Sequence, residues 1–176
     1  MANDFLIVVD MQTDFVSGSL GTPEARSIVA AVAERAAAFE GTVVFTRDTH
    51  DACYADTQEG RCLPIAHCRR GTPGWELVDE LEHVRRDRDC LVFDKPSFGS
   101  LELATWLVEQ DSVEPIDSIE LVGLCTDICV VSNALLIKAN LPEVPLRVES
   151  SLCAGVTPAA HDAALATMRS CQIEVL

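Results

Sequence analysis

The residues of this chain that could do covalent chemistry include eight cysteines, of which Cys129 is the best placed to act as a nucleophile. Thr126 and Asp127 just before it are good helix N-cap residues, so Cys129 should lie in the first turn of a helix. The positive end of a helix dipole and a nearby lysine both favour the thiolate, which is the nucleophilic form of cysteine. Free backbone N–H groups at that helix start could also hold a developing oxyanion. Cys125, one turn earlier, is also compatible with simple packing beneath such a site.

Two further reactive residues follow apolar segments of the chain. Asp10 follows Phe5–Val9, and Lys95 follows Leu91–Phe93. Ligands of open α/β sheets bind beyond the carboxyl ends of the strands, so these side chains should converge at one edge with Cys129. Each alone has an ordinary explanation, as a turn aspartate, a solvated lysine or a packed cysteine. Their convergence favours a reactive site.

A second group of polar residues has the types and spacing of metal ligands. Asp48 and His50 are separated by one residue, and His67 comes after 16 intervening residues. Carboxylate and imidazole ligands suit zinc, iron or manganese. The spacing is equally compatible with polar residues of a long loop. The carboxylates between these histidines could supply a fourth ligand: Glu59, which we favour, Asp51 and Asp56.

Short apolar runs alternate along the chain with longer segments of helical periodicity. The predicted strands are Phe5–Val9, Thr42–Thr46, Leu91–Phe93, Ser118–Leu124, Leu146–Glu149 and Ile173–Leu176. The predicted helices are Ile28–Phe39, Trp75–Val84, Leu101–Val108, Asp127–Ala139 and Ala159–Arg169. Such alternation indicates an α/β fold with a parallel sheet covered on both faces. We expect one domain over residues 1–176, in which the stretch Thr49–Gly74 is too long for an idle connection.

Composition narrows the function classes. The chain has 176 residues, 48% of them hydrophobic, and a formal charge of −15 from 13 basic and 28 acidic residues. This hydrophobicity excludes a disordered chain, and the acidic balance argues against nucleic acid or a membrane surface as partner. No basic segment precedes the first apolar run, and no stretch approaches the length of a membrane span. We therefore expect a cytoplasmic protein whose cysteines stay reduced, most of them as small buried side chains.

Five segments of the chain carry a resemblance to a known family. They run from the first predicted strand to the fourth predicted helix, and the last is the most specific: Val8–Phe15, Thr46–His50, His67–Gly74, Phe93–Lys95 and Gly123–Val130. In these segments, and in their order, the sequence resembles the isochorismatase-like cysteine hydrolase superfamily, and within it the nicotinamidases and pyrazinamidases.

The resemblance implies a three-layer α/β/α sandwich with a six-stranded, mostly parallel sheet. It also implies deamidation of a small amide, foremost nicotinamide to nicotinate and ammonia through a thioester, and hence a place in NAD metabolism. It implies a homo-oligomer, either dimer or tetramer, and one divalent metal, zinc foremost with iron or manganese open. The roles that it implies at matching positions are a triad of Asp10, Lys95 and Cys129, an oxyanion hole from the backbone amides of Cys125 and Cys129, a cis peptide at Leu124–Cys125, and metal ligands Asp48, His50 and His67.

The chain departs from the nicotinamidase pattern at two places. Nicotinamidases often carry a tryptophan where this chain has Pro64, so the aromatic residue that would sandwich a pyridine ring is absent there. A further histidine ligand of some nicotinamidases is also missing, which leaves Glu59 as the substitute. We expect the substrate pocket to be lined by Phe15, Leu20 and Phe98. Two alternatives stay open: a family hydrolase acting on a carbamoyl compound, a ureide or isochorismate, and a redox or metal-sensing protein that uses its cysteine thiols.

Overall fold

The computed structural model describes residues 2–176 and contains a six-stranded sheet in which every paired strand is parallel to its neighbour. The strands are β1 (Asp4–Val9), β2 (Thr42–Asp48), β3 (Val92–Lys95), β4 (Ser118–Leu124), β5 (Leu146–Ala154) and β6 (Glu174–Val175). Their order in the sheet is β3-β2-β1-β4-β5-β6, so the first three strands form one half of the sheet and the last three form the other. The predicted α/β fold is confirmed.

Two hydrophobic cores, one on each face of the sheet, show why the central strands are apolar throughout. In β1, Phe5, Ile7 and Val9 point into one core, while Leu6 and Val8 point into the other. Successive side chains of a strand face opposite sides, so a strand covered on both faces needs no polar positions. The first core is covered by α5 (Leu101–Val113), α6 (Val131–Asn140) and α7 (Pro158–Ser170), and the second by α2 (Pro23–Ala38) and α4 (Asp79–Asp87).

The long segment between β2 and α4 contains local structure of its own. It holds a 3₁₀ turn (Tyr54–Asp56) and the short helix α3 (Gln58–Cys62), while α1 (Thr13–Val16) follows β1. Within residues 2–176, no helix is both long enough and apolar enough to pass through a bilayer.

Several predicted boundaries were wrong, one of them because of non-local contacts and another because of a local helix cap. The helix predicted from Trp75 begins only at Asp79, since Leu77 forms an antiparallel bridge with Gln12 and the Val78 N–H donates to the Met11 carbonyl. Helix α2 begins five residues before the predicted Ile28, because Thr22 caps it and Pro23 occupies its first turn. Strand β5 continues to Ala154 instead of ending at Glu149.

Candidate active site

The predicted reactive residues meet at the carboxyl edge of the sheet, beside the junction of β1 and β4. Asp10 directly follows β1, Lys95 is the last residue of β3, and Cys129 lies in a π-helical turn, Thr126–Val130, that follows β4. Chain connections leave β1 and β4 in opposite directions, which makes this junction the place where parallel sheets form their ligand crevices.

Lys95 is the centre of this arrangement. Its side chain is fully buried, and its Nζ lies 2.6 Å from Asp10 Oδ2 and 3.3 Å from Cys129 Sγ. The same ammonium donates to the Ser97 carbonyl at 3.2 Å. Burial disfavours its charge, but Asp10, Cys129 and Asp48 outweigh burial and hold the pKa of Lys95 above its ordinary value. The ammonium therefore stays charged inside the protein.

Asp10 has one carboxylate oxygen fixed and one available for proton transfer. Thr46 donates its hydroxyl to Oδ1 at 2.7 Å. The buried Oδ2 has no aligned hydrogen bond in the structure, although Lys95 Nζ is close to it. Burial raises the pKa of Asp10 against the opposing effect of Lys95. A buried carboxylate with a raised pKa is suited to accept and return a proton.

The environment of Cys129 favours the protonated thiol. Its side chain is buried, and burial together with Asp10 raises the pKa of the thiol well above its ordinary value despite Lys95. Lys95 does favour the thiolate, as predicted, but burial and Asp10 outweigh its effect. Burial in low-dielectric surroundings destabilises the Cys129 thiolate. The ammonium of Lys95, which is also close to Asp10 and Asp48, does not fully compensate for this. Formation of the thiolate would therefore require a base, and the carboxylate of Asp10 is within hydrogen-bonding reach of the thiol.

The turn that carries Cys129 is capped differently from the sequence-based prediction. Neither Thr126 nor Asp127 is the N-cap; that position is Cys125, whose side chain makes no capping bond. Thr126 instead pairs its hydroxyl with His161 Nδ1 at 2.8 Å, and Asp127 Oδ1 accepts from the Val156 N–H. These side chains tie the turn to α7 and to the end of β5.

Backbone conformation around Cys125 matches the expected arrangement. The Leu124–Cys125 peptide is cis, as the resemblance implied. Gly123 has a φ of +116°, and a Cβ there would lie 2.2 Å from the Val9 carbonyl oxygen, so the close approach of β4 to β1 requires glycine. Cys125 is half-buried: it packs against one core of the sheet and also lines the cavity described below. Burial raises the pKa of its thiol to about 12, so its sulfur stays protonated.

The four predicted metal ligands form a compact group next to this triad. One donor atom from each of Asp48, His50, Glu59 and His67 lies within 4.8 Å of the others. The arrangement fits a metal, because the buried His50 Nε2 has no hydrogen-bond partner and faces Asp48 Oδ2 at 2.9 Å. The Ile65 carbonyl accepts from His67 Nδ1 at 2.8 Å, which leaves the lone pair of Nε2 for a ligand bond. The alternative ligands Asp51 and Asp56 are exposed and lie outside this group.

A buried glutamine that the sequence analysis did not single out holds Asp48 in place. Gln12 Oε1 accepts from the Asp48 N–H at 2.7 Å, and its Nε2 donates to the Asp48 carbonyl at 2.9 Å and to the Trp75 carbonyl at 2.8 Å. Asp48 Oδ1 in turn lies 3.6 Å from Lys95 Nζ. The metal-ligand group and the triad are therefore parts of one continuous site.

A cavity of about 310 Å³ opens onto Cys129 and onto three of the four predicted metal ligands. The three residues predicted to form its wall, Phe15, Leu20 and Phe98, all line it. Leu63 also lines the cavity and is apolar. It directly precedes Pro64, the position at which nicotinamidases often carry a tryptophan. The other lining residues that the sequence did not indicate are Thr22, Ala25, Leu124, Ile128, Gly155 and Val156. No lysine or arginine of residues 2–176 is among the lining residues.

The chain is similar to known proteins over nearly its whole length. The isochorismatase domain family matches residues 4–176. The chain belongs to the isochorismatase family. A nicotinamidase/pyrazinamidase of Mycobacterium tuberculosis is 30% identical over 187 aligned residues, which cover 97% of both proteins. The family prediction is thereby confirmed.

Solved structures of related proteins share the fold of this chain over nearly its whole length. A nicotinamidase/pyrazinamidase from Bacillus subtilis superposes with a TM-score of 0.85 at 29% identity, covering 99% of each chain. A pyrazinamidase of Pyrococcus horikoshii in complex with zinc has a TM-score of 0.80 at 26% identity, covering 99% of this chain and 98% of its own. Full-length coverage means that no large part of this chain lies outside the shared fold.

Proposed function

We propose that this protein is a cysteine-dependent amidase that converts nicotinamide, or a closely related heteroaromatic amide, into the carboxylate and ammonia. A hydrolase acting on a C–N amide bond is supported by the family and by the named relatives. The observation that carries the proposal is the buried contact of Lys95 with both Asp10 and Cys129 at one end of an apolar cavity.

In the first half of the reaction, Asp10 Oδ2 takes the proton of the Cys129 thiol as Sγ attacks the amide carbonyl carbon. The ammonium of Lys95 stabilises the charge that develops on sulfur. The backbone N–H groups of Cys125 and Cys129 donate to the carbonyl oxygen as it becomes an oxyanion. The raised pKa of Asp10 suits it to hold this proton until the leaving group needs it.

In the second half, the tetrahedral intermediate collapses and the C–N bond breaks. Asp10 returns its proton to the leaving nitrogen, ammonia departs, and the acyl group remains on Cys129 as a thioester. A water molecule then gives a proton to Asp10 and attacks the thioester carbonyl. The carboxylic acid leaves, and the proton on Asp10 returns to Cys129 Sγ. One amide and one water thus become one acid and one ammonia.

The cavity favours a neutral substrate over an anionic one. Its wall is formed largely by apolar side chains, and the nearby Lys95 is already paired with Asp10. The two carboxylates of the ligand group, Asp48 and Glu59, would balance the charge of a divalent ion. A carbamoyl amino acid or isochorismate would therefore bring a carboxylate into apolar surroundings without a free cation, which is costly. Nicotinamide carries no such charge.

We propose that Asp48, His50, Glu59 and His67 hold one divalent metal, foremost zinc. Two imidazoles and two carboxylates suit zinc, and the P. horikoshii relative was solved with zinc. When bound, such an ion supplies a Lewis acid that can ligate a ring nitrogen of the substrate or a water molecule. A metal held by these residues would lie beside the cavity, because Asp48, Glu59 and His67 line its wall.

Metal analysis should give about one divalent ion per chain, and His67→Ala should lose it. Changes to residues that only support a metal ligand weaken metal binding by about 10–100-fold. Removal of a ligand itself should weaken it by at least as much. Metal content after dialysis, measured by mass spectrometry, tests this directly. His83→Ala is the matched control, because His83 is exposed on α4 and lies outside the ligand group. Equal metal content in His67→Ala and the native protein would contradict the assignment.

Ammonia release from a panel of small amides tests the substrate. Nicotinamide and pyrazinamide should be hydrolysed about 10²-fold or more faster than carbamoyl amino acids or simple ureides, because a buried unpaired charge costs several kcal/mol. Ammonia is measured with a coupled dehydrogenase assay. Preferred hydrolysis of a carbamoyl compound or a ureide would keep the amidase chemistry but overturn the nicotinamide assignment. No hydrolysis of any amide by the metal-loaded protein would overturn both.

A further inference from the structure

Asn133 is a buried side chain of α6 that makes three hydrogen bonds, all to backbone groups. Its Nδ2 donates to the Cys129 carbonyl at 2.8 Å and to the Phe98 carbonyl at 3.2 Å. Its Oδ1 accepts from the Ser100 N–H at 2.9 Å. One end of this bridge is thus the residue that carries the thiol, and the other is the loop between β3 and α5.

That loop, residues 96–100, is a wall of the cavity. Phe98 lines the cavity and is also 42% exposed, so little packing on its outer side holds it. The Ser97 carbonyl accepts from Lys95 Nζ, and the Ser100 hydroxyl caps α5 by accepting from the Leu103 N–H. Lys95 and Asn133 therefore fix the loop from two sides, and both also contact Cys129.

Asn133 differs from two other polar residues of α6, whose side chains hydrogen-bond only to a backbone carbonyl one helical turn earlier. Ser132 donates to the Ile128 carbonyl at 2.6 Å, and Asn140 Nδ2 donates to the Leu136 carbonyl at 2.8 Å. Both bonds reach only the residue four positions earlier, which is a common local contact in helices. Asn133 makes this local bond and adds two bonds to a segment more than 30 residues away in sequence.

We propose that Asn133 is a positioning residue that sets the placement of the Phe98 wall relative to the Cys129 thiol. The proposal rests on the proposed function in taking Cys129 as the nucleophile. A substrate ring held against Phe98 presents its carbonyl carbon to Sγ only if the loop and the π-helical turn keep a fixed separation. Buried polar groups that are fully hydrogen-bonded hold such separations well, because every alternative leaves a buried group unpaired.

Three variants separate the bridge from the local helix bond. Asn133→Ala removes all three bonds. Asn133→Thr keeps a donor for the Cys129 carbonyl, as Ser132 does for Ile128, but it is too short to reach the loop. Asn140→Ala is the matched control, since it removes an asparagine of the same helix whose bond is purely local. Thermal unfolding of all three gives the stability cost separately from the effect on the site.

Both Asn133 variants should lower kcat/KM by about 10–100-fold, the cost of a misplacement of about 1 Å, with KM clearly raised. Asn140→Ala should stay within about twofold of the native kcat and KM, as ordinary surface substitutions do. A merely structural Asn133 would lower stability and leave both constants of the folded enzyme unchanged. Native KM in Asn133→Thr would overturn the proposal, because that variant keeps the helix bond and loses only the bridge.

A second readout does not depend on the substrate assignment. Iodoacetamide modification of Cys129, followed by peptide mass spectrometry, reports the alignment of the thiol with Asp10 and Lys95. Its rate should fall in both Asn133 variants and stay unchanged in Asn140→Ala, with the exposed Cys171 as internal reference. An unchanged or higher Cys129 rate would overturn the proposal. If the native protein hydrolyses no amide but the rate falls as expected, the proposed function fails while the positioning role of Asn133 stands.

Discussion

Replacement of Cys129 with alanine should abolish amide hydrolysis and leave the fold intact. In the proposed mechanism this thiol is the nucleophile, so we expect turnover to fall by about 10⁴-fold or more, as in other hydrolases that lose their nucleophile. The change removes one sulfur atom from a buried position and should cost about 1 kcal/mol of unfolding free energy. Ammonia release measures the first effect, and urea unfolding followed by circular dichroism measures the second.

Cys125→Ala is the matched control for this experiment. Cys125 also faces the cavity, but its proposed contribution is its backbone N–H, which alanine retains. The loss of one small apolar contact should cost at most about tenfold in kcat/KM. Substantial turnover in Cys129→Ala would overturn the triad assignment. An equal, complete loss in both variants would indicate dithiol chemistry and revive the redox alternative.

The catalytic candidates could be predicted because they depend on the topology of the sheet. Asp10, Lys95 and Cys129 lie at or just beyond the ends of three parallel strands, and the carboxyl ends of parallel strands share one edge. An apolar run followed by a polar residue is visible in one sequence. The metal-ligand group was predictable in the same way for Asp48 and His50, while Glu59 depended on the fold of the segment between β2 and α4.

The residues that hold the site could not be predicted, because their partners are distant in sequence. Gln12 bonds to the backbone of Asp48, 36 positions away, and Asn133 bonds to Ser100, 33 positions away. Neither bond leaves a local pattern, since the side chain contacts main-chain groups that every residue has. The start of α4 was mispredicted for the same reason, because the bridge between Gln12 and Leu77 overrides the helical periodicity.

The balance of effects on the Cys129 thiol could not be read from the sequence. Lys95 favours the thiolate, as its residue type indicated, but the balance also depends on how much water is excluded and on a second carboxylate nearby. In the structure, burial and Asp10 together exceed the effect of one ammonium. Electrostatic sums of this kind require positions and burial, not residue types alone.

Replacing Lys95 with methionine should remove activity and destabilise the protein. Methionine fills a similar volume but leaves two buried carboxylates, Asp10 and Asp48, without their cation. Breaking a buried ion pair by removing one partner costs about 3–5 kcal/mol. Urea unfolding at neutral pH measures this loss, and ammonia release measures the activity. Lys138→Met is the control, because Lys138, the other lysine of the chain, donates only to the exposed Pro142 carbonyl.

The pH dependence and a double variant identify the source of this destabilisation. Without Lys95, the pKa of Asp10 should rise further above its unfolded value, so the folded state is penalised wherever Asp10 must be ionised. The penalty should shrink as the pH falls through the raised pKa, and the deficit of Lys95→Met should be smaller at pH 5 than at pH 8. Asp10→Asn combined with Lys95→Met should recover much of the stability at pH 8 but none of the activity. The double variant lacks the charge of Asp10. If it is no more stable than Lys95→Met, the unpaired carboxylate of Asp10 is not the cause of the destabilisation.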